Sequence, residues 1–147
     1  MIKFFVIGRI LIGCLFIVSG FEKLIGPYQN FLYIVQSYEF LPTLLEEMVA
    51  RTLPWIELFL GVFLVVGLWL KWALRSIWVV IFLFILIVSQ ALLRKLPIDE
   101  CGCFGGLISL PLYAVLIFDS TLFLLTGVLL KQEKRINIFS LDQYFRK

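Results

Sequence analysis

Four apolar stretches, Phe4 to Phe21, Leu53 to Leu70, Trp72 to Leu93 and Leu107 to Leu130, take up most of the chain. Each approaches the ~20 residues that an α-helix needs to cross the hydrocarbon core of a bilayer at ~1.5 Å per residue. A backbone in lipid has to satisfy its own polar groups, so such stretches fold as helices. The expectation is an all-α integral membrane four-helix bundle, a single domain over residues 1–147. Its helices should lie near 4–23, 53–70, 72–93 and 109–130, with a tail at 131–147. Composition agrees, because 62% of the residues are hydrophobic against roughly 45–50% in soluble domains.

The first stretch is expected to be a membrane helix and not a cleaved signal. Arg9 interrupts its apolar run and no small-x-small cleavage site precedes Lys23, so it reads as the first membrane helix. The second and third stretches are separated by little more than Lys71 and should form a tight antiparallel hairpin. Trp69, Trp72 and Trp78 fall near that interface and Trp55 near the opposite one, where aromatic rings bridge apolar and wet surroundings. Between the first two spans, Pro27 to Arg51 mixes Tyr28, Phe31, Ile34, Val35 and Tyr38 with the acidic pair Glu46 and Glu47. That spacing predicts one or two short amphipathic helices lying on the membrane.

Positive charge sets orientation. The N-terminus with helix 1, the helix 2–3 hairpin and the tail hold nine of the Lys and Arg residues; Lys23, Arg51, Arg94 and Lys95 are on the other side. Both termini are therefore expected in the cytoplasm, with the loop from Arg94 to Gly106 outside an inner (cytoplasmic) membrane. The net charge of +3 is spread over helix ends, which argues for the lipid bilayer and against nucleic acid as a partner. The sequence has no histidine, so the commonest zinc ligand and general base is missing.

Two of the three cysteines lie in that outer loop, in Asp99-Glu100-Cys101-Gly102-Cys103-Phe104-Gly105-Gly106. Cysteines two apart can reach the ~4.4–6.8 Å Cα separation of a disulfide when a glycine lets the backbone bend, but under strain. Strained, exposed disulfides exchange readily. So short a loop gains little entropic stabilisation, which weighs against a purely structural staple without removing it. Two soft thiolates could instead capture Cu(I), Hg(II) or zinc. Thiolate formation is opposed by Asp99 and Glu100 and favoured by Arg94 and Lys95. Cys14, mid-span in helix 1, reads as a small hydrophobe.

Arg9, Glu57 and Asp119 fall within or near hydrocarbon depth, where a charge costs at least ~2.5–3.5 kcal/mol and normally faces the bundle interior in a pair. Arg9 and Asp119 are the expected long-reach couple. Glu57 lies toward the cysteine side, with Ser89 and Gln90 as polar neighbours, and is the expected proton acceptor for dithiol oxidation. The plainer alternative is that these charges only pin helix register. Gly13, Gly20 and Gly61 would let helices 1 and 2 approach closely.

Taken together, Arg9, Ser19-Gly20-Phe21-Glu22-Lys23-Leu24, Leu53-Pro54-Trp55-Ile56-Glu57 with Gly61, Cys101-Gly102-Cys103-Phe104-Gly105 and Asp119 resemble the MauE branch of the DoxX-like family of redox-associated membrane proteins. The resemblance implies a four-helix partner of extracytoplasmic thioredoxin-like proteins, linked to disulfide-dependent maturation of methylamine dehydrogenase. It implies Cys101 and Cys103 as the redox pair and Arg9, Glu57 and Asp119 as polar family positions.

The leading expectation is thus a thiol–disulfide oxidoreductase that exchanges a Cys101–Cys103 disulfide with such a partner through a mixed disulfide. No second cysteine pair is present to relay electrons, so a membrane quinone is the simplest acceptor, by analogy with quinone-linked four-helix disulfide enzymes. Two alternatives stay open: a soft-metal (Hg/Cu) binding or transport subunit that uses the same thiolates, and a non-catalytic membrane anchor for a redox partner.

Overall fold

The computed structural model describes residues 2–96 and 111–132. The described chain is all helical: α1 (Ile2–Ile25), α2 (Tyr28–Ser37), α3 (Thr43–Val66), α4 (Leu70–Leu93) and α5 (Leu112–Lys131). Four of these, all but α2, are long and apolar enough to cross a membrane. The cysteine loop and the tail beyond Gln132 lie outside the described residues.

Proline and glycine punctuate the helices. Pro27, Pro42 and Pro111 immediately precede α2, α3 and α5, each with φ between −56° and −67° and an extended ψ. A locked φ and a missing N–H are tolerated there, where no intrahelical bond is lost. At the other end of α3, Gly67 takes the left-handed conformation (φ 75°, ψ 35°). Its N–H and that of Leu68 both bond to the Phe63 carbonyl at 2.9 Å, a glycine stop that satisfies the helix C-terminus. The hairpin turn is therefore at Gly67 to Trp69, and not at Lys71 as the apolar run suggested.

α3 also starts well before residue 53. Hydropathy registers only its apolar part, whereas the helix begins at Thr43 and runs through the amphipathic turns containing Glu46 and Ala50. Pro54 sits inside it and deletes the bond to the Ala50 carbonyl without ending the helix. Of the one or two short amphipathic helices expected between the first spans, α2 stands as a separate element, and the segment from Thr43 is continuous with α3.

α1 packs mainly on α3, and α4 on α5, with α3 and α4 joined by the hairpin and α2 laid against α1 and α3. The α1–α3 approach is set by glycines. A Cβ at Gly20 would lie 2.7 Å from the Leu58 nitrogen and the Pro54 carbonyl oxygen. One at Gly61 would lie 2.7 Å from the Gly13 oxygen. Backbone therefore meets backbone along this seam, as small residues allow in membranes. Ile12, Phe16, Leu64, Leu74, Ile77 and Ile81 form the main buried cluster, while Trp78 stacks on Phe123 at 4.6 Å between α4 and α5. Outward, Leu11, Val18, Phe59, Leu83 and Leu124 are at least half exposed. An apolar rim around the whole bundle is what lipid contact requires.

A buried charged cluster as candidate functional site

Ser19 and Lys23, four residues apart, share one face of α1 and point at Glu57 of α3 across the glycine seam. Lys23 Nζ donates to Glu57 Oε2 at 2.7 Å, to Glu57 Oε1 at 2.8 Å and to Ser19 Oγ at 3.0 Å. Ser19 Oγ donates in turn to Glu57 Oε2 at 3.1 Å. Glu57 is 1% exposed and Lys23 6%. A charge pair so deep is tolerable only when each partner's hydrogen bonds are satisfied, and here all three ammonium protons have an acceptor.

Rings complete the ammonium's surroundings. Lys23 Nζ lies 5.1 Å from the Phe31 centroid of α2 and 5.7 Å from that of Phe84 on α4, within cation–π range. α2 is thereby fastened over the cluster. Tyr38, just beyond α2, is buried against Val88, Ala91, Leu112 and Val115. Burial, and secondarily the Asp119 carboxylate, pushes the Tyr38 phenol up to about 12.

Asp119 of α5 reaches the same region from the opposite side. It is 7% exposed and lines a small cavity with Ser19, Glu57, Phe16, Phe84, Phe118 and Leu122. Its Oδ2 has no hydrogen-bond partner among the described residues. A second, more apolar cavity extends from Lys23 and Tyr38 along Phe31, Ile34, Leu53 and Phe84. Five helices thus converge on two carboxylates, one ammonium and the Ser19 hydroxyl, with the Tyr38 phenol beside them.

This arrangement corrects several expectations. Arg9 does not pair with Asp119: its guanidinium reaches the Val65 carbonyl at 3.5 Å, some ten residues, or ~15 Å, further down α1 than Ser19. Ser89 and Gln90 are not the polar neighbours of Glu57; Ser19 and Lys23 are. Gln90 is instead partly buried, with its Oε1 unpartnered among the described residues. Glu57 itself is no open base, because both its oxygens already accept from Lys23. Lys23, counted from the sequence with the outer-face charges, is instead drawn into the bundle, and two sequence signals point there: its i, i+4 spacing from Ser19, and the carboxylate at membrane depth in α3. Cys14 faces outward on α1. Cys101 and Cys103 lie outside the described residues.

The class that fold and cluster define is a small multi-pass membrane protein organised around an intramembrane ion pair. A family model described as methylamine utilisation protein MauE matches residues 1–132, and the chain belongs to that family. Comparison with curated proteins and with solved structures gives no significant match.

Proposed function

We propose that the protein is a membrane component of thiol–disulfide exchange, in which Cys101 and Cys103 exchange a disulfide with a thioredoxin-like protein on the outer face of the cytoplasmic membrane. A thiolate of the reduced partner opens the Cys101–Cys103 disulfide to give a mixed disulfide, which the partner's second cysteine resolves. The partner leaves oxidised, and Cys101 and Cys103 are left as a dithiol whose two electrons and two protons pass to an acceptor, which restores the disulfide. A membrane quinone is the acceptor in this reading, and the apolar cavity beside Lys23 and Tyr38 offers the kind of wall that such a molecule needs.

The observation that carries the proposal is the position of the charged cluster. α4 ends at Leu93 and α5 begins at Leu112, so the connection containing the cysteines joins the end of the bundle at which α1 finishes just past Lys23. Dithiol oxidation releases two protons along with two electrons, and acid–base groups in the bundle beneath that connection answer the need. The match to the MauE family and the Cys-Gly-Cys-Phe-Gly run support the same reading.

Its test is trapping. Cys101→Ser and Cys103→Ser variants are incubated with a purified extracytoplasmic thioredoxin-like protein in its disulfide form, which the remaining thiolate can open. One of the two variants should accumulate a mixed disulfide that reductant dissolves. If neither does, and the reduced native protein takes up Hg(II) or Cu(I) tightly, soft-metal capture replaces exchange. If neither occurs and the double variant still supports its partner, the protein is an anchor.

A further inference from the structure

We propose that Asp119 is an intramembrane proton-binding site, neutral when loaded, with the Lys23–Glu57 pair as the fixed charge pair beside it. Lys23 and Glu57 cancel, leaving Asp119 as the cluster's uncompensated group. Two donors nearby are already committed: the Lys23 ammonium gives its three protons to Glu57 and Ser19, and the Ser19 hydroxyl gives its own to Glu57. Asp119 Oδ2 is buried without a partner among the described residues, and apart from Ser19 and Glu57 its cavity is walled by hydrocarbon, including Phe16, Phe84 and Phe118.

A carboxylate charge with Oδ2 buried and unpartnered is costly to hold, and protonation removes it at once. A metal ion is the other way to neutralise it. That needs a ligand set, and no group of three or more His, Cys, Asp or Glu side chains occurs among the described residues. The groups facing Asp119 from the packed elements are Lys23 on α1, Tyr38 beyond α2 and Glu57 on α3; α4 contributes Ile81 and Phe84, which are uncharged. Lys23, Glu57 and Asp119 together form one acid–base unit that is neutral with a proton on Asp119 and carries one negative charge without it.

This site does not rest on the cysteine chemistry, and its test is arranged to stay separate from it. Infrared difference spectra are recorded on the full chain in phosphatidylcholine vesicles as pH is varied. They are taken for the native protein, for a Cys101→Ser/Cys103→Ser variant and for Asp119→Asn, which has the shape of the loaded form. The expected result is a protonated-carboxyl band at neutral pH that persists in the cysteine variant and is lost in Asp119→Asn. Growth on ¹³C-aspartate, in a chain in which Asp99 and Asp142 are replaced by Asn, assigns the band without altering Asp119. A band that shifts with that label supports the proposal. Absence of a protonated carboxyl at neutral pH, or a band that ignores the aspartate label or survives Asp119→Asn, overturns it. Persistence of the band while partner trapping fails would leave the proton site standing and the exchange reading fallen.

Discussion

A lysine two residues from the end of an apolar helix can reach for water or for a buried carboxylate. Lys23 takes the carboxylate, because Ser19 one turn back and Glu57 across the seam supply three acceptors within 3.0 Å. Removing one partner leaves the other charged, buried and alone. Lys23→Met or Glu57→Leu should each lower stability by about 3–5 kcal/mol, whereas the double replacement should recover most of the loss. Reversible unfolding in mixed detergent micelles measures both. Equal losses in single and double variants would show that the two side chains do not act as a pair. Ser19→Ala, which removes one acceptor and one donor, should cost about 1–3 kcal/mol by the same assay.

Tyr38 gives a pH dependence with a definite sign. Its folded-state value, about 12, exceeds the ordinary 10.0, so the native state keeps the phenolic proton longer than the unfolded chain does. That contribution is fully present below pH 10 and is lost as pH rises toward 12. Tyr38→Phe should therefore unfold less steeply over that window than the native protein, as read from melting curves taken at successive pH values.

At the scale of the helix, the α1–α3 seam decides how Lys23 meets Glu57. Gly20 and Gly61 permit backbone contact, and only that spacing brings Glu57 within bonding distance of Lys23. Gly20→Val should destabilise by about 1–3 kcal/mol through overpacking and should also loosen the ion pair, visible as increased solvent exchange at Lys23. The helices themselves were legible in the sequence, because length and hydropathy alone define a membrane span. The start of α3 was not, since its first turns are amphipathic and look like a surface segment. The turn at Gly67 was readable in principle: a glycine followed by Leu68 and Trp69 is a helix stop, but the surrounding apolar run concealed it. The Lys23–Glu57 pair was hidden for a deeper reason. Both residues could be seen to lie in or near the membrane, but which charges meet depends on helix register, and register is set by glycine contacts that no single-helix pattern reports.

For the whole molecule, the buried positions of Arg9 and Lys23 sharpen the charge asymmetry between the two faces. With those two taken out of the count, the N-terminal, hairpin and tail face keeps eight basic residues and the other face keeps Arg51, Arg94 and Lys95. The positive-inside bias then predicts cytoplasmic termini and an outer cysteine connection. A membrane-impermeant thiol reagent applied to intact cells should label reduced Cys101 and Cys103, and labelling only after permeabilisation would invert the topology.

An exchangeable disulfide between Cys101 and Cys103 is tested by mass spectrometry of the alkylated protein after equilibration in a graded series of redox buffers. The expected result is a reversible two-electron transition between these two cysteines at ~−270 to −120 mV, the range of thioredoxin-like partners. Cysteines that never pair, or that pair without returning to the dithiol, would contradict it.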